Sequence, residues 1–239
     1  MNCAILQPSY IPWRGYFHQI QKVDTFVFYD DVQYDRHGWR NRNRVKTASG
    51  AKWLTVPHKH LGYSPAILEV EIADDARWVE SHLGIVREAY KKAPFFKQYF
   101  PIFEDILRRR HRHLADLTID LTVAFAGELG LTGKKFLRSS TLGIGGNKTD
   151  RLIAILTALG ATHYVSGPSA RDYIEPEKFA NANIGLEYMV YDYPEYPQLH
   201  GAYDPQLSIL DLLFMTGKDA GNYIWTAAPA LTAAAILSR

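Results

Sequence analysis

The stretch SSTLGIGGNKTDRLIAILTALGATHYVSGP, residues 139–168, decides the fold class that the sequence predicts. A short apolar segment over 136–140 leads into glycines at positions 143, 145 and 146. Apolar residues then recur at the spacing of a helix packed on one face: Leu152, Ile153, Ile155, Leu156 and Leu159. Gly160 ends the helix as a C′ residue does, and residues 162–166 return to an extended apolar pattern. The pattern predicts a strand, a loop, a helix and a second strand.

Two strands joined by a helix are most easily parallel, and ligands of parallel sheets bind at the carboxyl ends of the strands. We expect Asn147 or Thr149 to cap the helix, whose free N–H groups, together with Lys148 and Arg151, suit a phosphate or a carboxylate. The loop is not a Walker A loop, because position 141 is Thr where that motif needs glycine. An ordinary glycine-rich connection before a capped helix explains the same residues, and this alternative stays open.

The composition is that of an ordinary soluble globular protein: of 239 residues, 47% are hydrophobic and 22% are charged, and the net charge is only +2. This balance does not call for nucleic acid or a membrane surface as a partner, and no apolar window is long enough to span a bilayer. The single Cys3 cannot form an intramolecular disulfide and is expected to pack in the first strand. We therefore expect a cytoplasmic protein with one α/β domain over residues 1–224 and a tail of unclear role over 225–239.

The N-terminal region repeats the same order of elements. Residues 3–6 predict a strand, the loop QPSYIP follows at 7–12, and apolar residues at helical spacing over 15–23 predict a helix. Arg14 lies at the start of that helix, and His18 follows one turn later. If the two strands are parallel neighbours, Arg14 would face the same strand ends as Lys148.

A third strand is predicted over residues 25–29, TFVFY, and it delivers Asp30 and Asp31 to its carboxyl end. Adjacent side chains on a strand point to opposite faces of a sheet. At most one of the two carboxylates is therefore expected in a site, and the other would cap a backbone group or pair with an arginine.

The densest basic stretch is RHGWRNRNRVK, residues 36–46. Guanidinium groups bind phosphate bidentately and a tryptophan ring stacks on a base, so Trp39, Arg42 and Arg44 are expected to contact a nucleotide or sugar phosphates. Nucleic acid would use the same chemistry, but the excess positive charge is confined to this stretch and to residues 108–113, which favours a small ligand. A solvated basic loop is the alternative.

The other segments complete an α/β fold with a mostly parallel, Rossmann-like sheet and a helical insertion at about 76–130. The predicted elements are strands over 52–57, 68–72 and 186–193, helices over 77–92, 94–109, 114–128, 173–183 and 207–215, and an aromatic, proline-rich loop over 194–201. His58 and His60 form an H-x-H pair without a third ligand at suitable spacing, so no metal site is expected.

Eight stretches carry a specific resemblance to a known family: QPSYIPWRGYF (7–17), DDVQY (30–34), WRNRNRVK (39–46), WLTVP (53–57), SSTLGIGGNKTDRLIAIL (139–156), YVSGPSARDY (164–173), YPQLHG (196–201) and LSILDLLFMTG (207–217). Over these stretches the chain resembles the WbqC-like protein family. The resemblance implies a bacterial transferase, proposed for some members to attach glycine or another acyl group to an amino sugar, in polysaccharide biosynthesis or specialised metabolism.

The order of elements also looks like that of adenylate-forming enzymes and nucleotidyltransferases. In those folds a proline-rich loop after the first strand opens a helix, and a late lysine-bearing loop clamps phosphates. QPSYIPWRGYFH and GGNKTDR would take these two parts, although His18 is offset from the paired-histidine signature of that superfamily.

The leading hypothesis from the sequence is an enzyme that forms an amide between an acyl or amino-acid donor and an amine, with ATP and Mg²⁺ if an acyl adenylate is used. Lys148 would stabilise phosphate charge, and His18 or Asp30 would take the proton from the amine. The predicted contacts with a small-molecule substrate are Gln7, Tyr10, Arg14, Trp39, Arg42, Arg44, Asn147, Ser166, Gly167, Tyr196 and Gln198. The alternatives are a nucleotidyltransferase and a non-catalytic protein that binds a nucleotide or a sugar.

Overall fold

The computed structural model describes residues 1–60 and 62–225. Residues 226–239, nearly all of the predicted tail, lie outside the described residues. The strands of the described chain are β1 (Asn2–Leu6), β2 (Thr25–Phe28), β3 (Arg42–Thr47), β4 (Gly50–Thr55), β5 (Lys135–Arg138), β6 (His163–Ser166) and β7 (Gly185–Tyr188). Its α-helices are α1 (Arg14–Gln21), α2 (Arg77–Tyr90), α3 (Phe96–Arg108), α4 (Leu114–Glu128), α5 (Lys148–Ala158), α6 (Pro176–Asn181) and α7 (Ile209–Thr216).

Five strands form the main sheet in the order β5-β2-β1-β6-β7, and every neighbouring pair is parallel. The chain begins at the centre with β1, builds outward through β2 to β5, and then crosses back to place β6 and β7 on the other side of β1. The order therefore reverses between β1 and β6. An α/β fold with a parallel sheet is confirmed, its strand order is consistent with a Rossmann-like fold, and its topological switch point lies between β1 and β6.

Side chains of the central strands alternate between two apolar clusters, one on each face of the sheet. Ala4 and Phe26 belong to the cluster that includes α1, α2, α3, α4 and α7, whereas Cys3 and Val27 belong to the cluster that includes α5 and α6. Strands buried on both faces read as continuous apolar runs, which is why the sequence pattern identified them. Burial raises the pKa of the Cys3 thiol to about 12, as expected for a thiol that packs in the core.

A separate antiparallel hairpin is formed by β3 and β4, with Thr47 paired with Gly50 next to the turn. The sequence predicted a strand near β4 but none at β3, and that omission is wrong. The strand pattern at β3 is hidden because its buried positions include a polar residue, Asn43, beside Val45, while Arg42 and Arg44 are only partly buried. Asn43 is satisfied by donating to the Ile11 carbonyl at 2.8 Å.

Three predicted elements differ in the structure. Residues Ile67–Glu69 form a 3₁₀ turn, and the residues after it make only isolated bridges, so the predicted edge strand over 68–72 is wrong. A second 3₁₀ turn, Pro168–Asp172, precedes α6, which is shorter than the predicted helix over 173–183. The predicted strand over 186–193 ends early at Tyr188, because the tyrosines that follow pack on the region of α1 instead of pairing in the sheet.

The three helices predicted between residues 76 and 130 are seen as α2, α3 and α4. These helices add fully buried side chains, among them Leu83, Phe103 and Leu121, to the larger apolar cluster. No helix in the described part of the chain has the length and apolar character needed to cross a membrane.

Candidate functional site

Helix α1 is fixed against the switch point of the sheet. Gln19 donates its side-chain N–H to the Val165 carbonyl at 2.9 Å, and its side-chain oxygen accepts from the Tyr191 hydroxyl at 3.4 Å. A Cβ atom at Gly167 would lie 3.9 Å from that same hydroxyl. The middle of α1 thus lies beside the turn that begins at Ser166 and Gly167, so the structure brings three predicted residues, His18 and these two, to one region.

His18 is the titratable group of this region. Its Nδ1 lies 2.9 Å from the Tyr193 hydroxyl, which fixes the orientation of the ring. Burial lowers the pKa of His18 below its ordinary value, and the nearby Lys22 acts in the same direction while Glu187 opposes it. A neutral imidazole held through one nitrogen can accept a proton at the other, which is the property required of a general base.

The glycine loop before α5 has a backbone that L-residues rarely adopt. Gly146 has φ +113°, and Lys148, the first residue of the helix, has φ 45°. Asn147 occupies the N-cap position, but its side chain makes no capping hydrogen bond. Thr149 is buried and accepts from the Glu175 backbone N–H at 3.2 Å, so the prediction that one of these two side chains caps the helix is wrong. The N-terminal N–H groups of α5 are left without a side-chain cap, next to the exposed side chains of Asn147 and Lys148.

Asp30 lies fully buried at the carboxyl end of β2, in an ion pair. Its Oδ2 accepts from Arg138 Nε at 2.6 Å and from the Ser140 hydroxyl at 2.9 Å, and its Oδ1 accepts from the Ser140 backbone N–H at 3.1 Å. A carboxylate occupied in this way serves to join β2 to β5, and the geometry does not favour Asp30 as the base. Asp31 pairs with Arg151, whose guanidinium also lies 5.0 Å from the Tyr29 ring centroid. Both carboxylates are therefore paired with an arginine, whereas this was expected of only one of them.

The loop that leaves β1 has a strained backbone and is fixed by hydrogen bonds from Asn43 and Arg40. Ile11 is buried with φ 37°, a genuine outlier for a β-branched residue, and Asn43 fixes its carbonyl. Tyr10 is also fully buried, and its hydroxyl lies 2.9 Å from His82 Nδ1, so the predicted role of Tyr10 as a substrate contact has no geometric support. The Gln7 carbonyl accepts from Tyr16 and from Arg40, while the Gln7 side chain is partly exposed.

Arg14 does not lie free at the strand ends. It is 4% exposed and donates to the carbonyls of Pro194 and Tyr223 at 2.9 and 3.1 Å and to the Tyr203 hydroxyl at 2.6 Å. Its guanidinium also stacks 4.6 Å from the Tyr193 ring centroid. The predicted convergence of Arg14, Lys148 and Asp30 is not seen in these contacts, because the bonds of Arg14 and of Asp30 go to other groups.

Tyr196 and Gln198 belong to a buried polar network rather than to the switch point. Lys46 donates to Gln198 Oε1 at 2.6 Å and to the Ala202 carbonyl, and the Tyr90 hydroxyl donates to Asp211 Oδ1 at 2.7 Å. Burial raises the pKa of Asp211, and the neighbouring Tyr90, Tyr196 and Lys46 oppose that rise. The sequence indicated this network only through Asp211, which lies inside an otherwise apolar helix. The sequence does not show which residues contact that carboxylate.

The predicted aromatic and basic contacts lie on the hairpin and on the segment just before it. Trp39 and Trp53 are half-exposed and their ring centroids are 5.1 Å apart, with the Arg42 guanidinium 4.8 Å from the Trp53 centroid. Arg44 is bound to Gln206. These residues thus form a second surface, apart from the contacts made by His18.

Two cavities lie outside the switch point. One of about 980 Å³ opens between the β3–β4 hairpin and α2, where Lys52, Lys91 and Lys92 are among the lining residues. Another of about 490 Å³ lies beside the end of β5, lined by Arg138 and Ser140 among others. Neither cavity is lined by His18 or Lys148. The two cavities therefore do not coincide with the switch point, which the strand order and the strained backbone indicate as the candidate site.

Comparison with known proteins shows to which family the chain belongs. The sequence profile described as the WbqC-like protein family matches residues 7–223. The chain belongs to this family. An uncharacterized protein of Mycobacterium tuberculosis is 38% identical over 223 residues, which cover 92% of this chain and 96% of that protein. No solved structure matches the chain significantly.

The residues of this WbqC-like protein that sequence reasoning missed are Gln19, Tyr191 and Tyr193. The two tyrosines orient α1 and His18, yet Tyr191 lies 172 residues from its partner Gln19 and Tyr193 lies 175 residues from its partner His18. The local signal that could have indicated the contact is a glutamine at position 19 between the apolar residues Phe17 and Ile20, because a polar side chain on the buried face of a helix needs a partner.

Proposed function

We propose that this WbqC-like protein binds a nucleotide at the switch point between β1 and β6 and uses it to join a carboxylate to an amine. The observation that carries the proposal is the strand order, which reverses between β1 and β6 and leaves the ends of these strands as the expected ligand crevice. Two strained loops flank this end of the sheet, with outliers at Ile11 and Lys148, and such strain clusters at functional sites.

The chain's own residues take three roles in this proposal. The uncapped N–H groups at the start of α5 and the exposed Lys148 bind the phosphates. His18, neutral because burial lowers its pKa, accepts the proton of the attacking amine. Ser166 and Gly167 form the turn at the end of β6 beside α1, and this turn borders the proposed crevice. ATP, bound with Mg²⁺, would activate the carboxylate as an acyl adenylate and release pyrophosphate.

The test is amino-acid-dependent exchange of labelled pyrophosphate into ATP, with the pure protein and single amino acids. An acyl adenylate predicts exchange that needs both ATP and a particular amino acid, and a mass gain on an amine acceptor added afterwards. Pyrophosphate release with the nucleotide retained on the product would identify a nucleotidyltransferase instead. Thermal stabilisation by ATP without turnover would identify a binding protein, and the absence of ATP binding would refute the proposal.

Variants separate the site from the rest of the fold. His18→Asn should abolish turnover while ATP binding persists, and Lys148→Ala should weaken ATP binding. Lys178→Ala is the matched control for Lys148, because Lys178 is a partly exposed lysine on a neighbouring helix that pairs with Asp150 and Glu175. If the Lys178 variant lost as much ATP affinity as the Lys148 variant, the assignment of the phosphate site would be wrong.

A further inference from the structure

The β3–β4 hairpin and the segment that leads into it present an aromatic surface to solvent. Trp39 is 41% exposed and Trp53 is 44% exposed, in a protein that buries most of its large aromatic side chains. Their ring centroids lie 5.1 Å apart with an interplanar angle of 39°, so the two indoles are adjacent and tilted relative to each other. Adjacent exposed apolar side chains surrounded by polar residues are typical of a ligand-binding surface.

A fixed positive charge lies against this face. The Arg42 guanidinium stacks 4.8 Å from the Trp53 centroid and is held by the carbonyls of Gly38 and His37 at 3.3 and 2.6 Å. Arg44, at 5.8 Å from the same ring, has Asp204 as an ion-pair partner at 3.6 Å. Within the described chain Arg42 has no carboxylate in ion-pair range, since both of its hydrogen bonds go to neutral carbonyls. Its charge is oriented but not neutralised.

The same segment braces the loop that leaves β1. The Tyr10 backbone N–H donates to the Arg40 carbonyl at 3.1 Å, and Arg40 Nη1 donates to the Gln7 carbonyl at 3.0 Å. Trp39 therefore precedes a residue that is bonded directly to the loop at the switch point. A ligand on the hairpin would lie on the segment that borders the proposed nucleotide crevice.

We propose that Trp39, Trp53 and Arg42 form a binding surface for a ring-bearing phosphate ester, with the ring stacked on the indoles and the phosphate bound by the guanidinium. Stacking on indole needs a flat apolar ring face, which both a sugar and a base offer, and the unpaired guanidinium supplies the charge that a phosphate complements. The role of this ligand as the second substrate rests on the proposed function, whereas the binding surface itself does not.

The test is a titration of tryptophan fluorescence with four probes: glucose 6-phosphate, ADP, glucose and inorganic phosphate. Saturable quenching by at least one phosphorylated probe is expected, with far weaker effects of glucose and of inorganic phosphate. Glucose 6-phosphate and ADP distinguish a sugar ring from a nucleoside. Repeating the ADP titration with the Lys148→Ala variant distinguishes binding at this surface from binding at the nucleotide crevice. Equal binding of inorganic phosphate, or no quenching by either phosphorylated probe, would overturn the proposal.

Variants assign the quenching to the hairpin. Trp53→Ala and Arg42→Gln should each weaken binding by about tenfold, the effect of losing one stacked ring or one charged contact. Trp78→Phe removes an indole that packs on His82 and should leave the affinity unchanged. Trp53→Phe keeps a ring at the site and should retain most of the affinity even if the alanine variant folds poorly. Unchanged affinity in Arg42→Gln would refute the proposal.

The two proposals fail separately. If phosphate esters do not quench the tryptophan fluorescence but pyrophosphate exchange is observed, the hairpin binding surface is refuted and the proposed reaction is supported. Binding of the phosphate ester without any ATP-dependent reaction would leave the surface standing and remove the proposed function.

Discussion

At the scale of single residues, the buried pair Tyr10 and His82 couples the stability of this protein to pH. Burial lowers the pKa of His82 to about 4, and the imidazole is 5% exposed beside the Tyr10 hydroxyl. At neutral pH the ring is uncharged in the folded and the unfolded protein, so no stability depends on its titration there. As the pH falls below about 6.5, the unfolded chain binds a proton that the folded chain refuses until about pH 4.

We therefore expect the wild-type protein to lose on the order of 3 kcal/mol of unfolding free energy from this residue between neutral pH and about pH 4. Urea unfolding across this range checks it, with His82→Gln as the reference, because that variant lacks the titrating group. The stability gap between the two proteins should narrow as the pH falls. A gap that stays constant would show that His82 titrates alike in both states.

A second prediction at this scale concerns Lys148, and it distinguishes the effect of the backbone conformation on stability from the effect of the charge on ATP binding. Its φ of 45° is a conformation that costs an L-residue about 1 kcal/mol and costs glycine almost nothing. Lys148→Gly should therefore raise the unfolding free energy by up to about 1 kcal/mol while it weakens ATP binding, whereas Lys148→Ala should weaken ATP binding without that gain. Denaturant unfolding and ATP titration of both variants check the pair. An alanine variant as stable as the glycine variant would contradict the argument.

At the scale of elements, the end of α5 shows how a local signal fixes a boundary. Gly160 has φ +68°, its N–H donates to the Thr157 carbonyl at 3.0 Å, and the N–H of Ala161 donates to the Leu156 carbonyl at 2.9 Å. These two bonds are the Schellman motif, which needs a left-handed residue at that position. The sequence predicted this helix end from the glycine alone, and the structure confirms it.

Gly160→Ala should accordingly lower the unfolding free energy by about 1 kcal/mol, because alanine is strained at positive φ. Gly84→Ala is the matched control: Gly84 lies inside α2, and a Cβ there would meet nothing within 4 Å. Alanine should stabilise that helix by about 1 kcal/mol. Thermal unfolding of the two variants should shift in opposite directions, and a shift in the same direction would refute the assignment of the C′ position.

At the scale of the whole molecule, three cations from the N-terminal part of the chain anchor the loop over residues 189–207. Arg14 binds the Pro194 carbonyl and the Tyr203 hydroxyl, Lys46 binds the Ala202 carbonyl, and Arg44 binds Gln206. These bonds cross separations of about 150 to 190 residues, as 189 for Arg14 to Tyr203 shows. The loop carries Tyr193, which holds His18, so its position decides the geometry of the candidate site.

Arg14→Met should loosen this loop, because it removes three charge-assisted hydrogen bonds and leaves two partly buried carbonyls without this donor. We expect a loss of about 3 kcal/mol of unfolding free energy and faster chymotrypsin cleavage after the tyrosines of the loop under native conditions. Arg171→Gln is the control, since Arg171 is exposed and its guanidinium stacks on the Tyr188 ring. Mass spectrometry of the fragments locates the cuts. Cleavage confined to other segments would contradict the anchoring role.

The sites differ in how far sequence reasoning could reach them. His18, Ser166 and Gly167 follow from local patterns, the turn after a strand and the spacing of a helix, and the structure brings them to one region. Asp30 was placed correctly at a strand end, but its role was not predictable, because its partner Arg138 lies 108 residues away on a strand that only the sheet order makes adjacent. Arg14 was misjudged for the same reason, since its partners lie in a loop without periodicity.

The sequence by itself determined the parallel α/β architecture, the helical insertion and the loop at residues 143–147, because strands, helices and glycine turns are encoded by neighbours within one or two turns of chain. Only the tertiary structure decided which cations are free to meet a ligand. Arg14 and Arg44 are occupied by the 189–207 loop, whereas Lys148 is exposed. Burial and pairing depend on contacts between segments far apart in the chain, so the loop that runs on from residue 139 was located by its sequence and given its chemical setting by the fold.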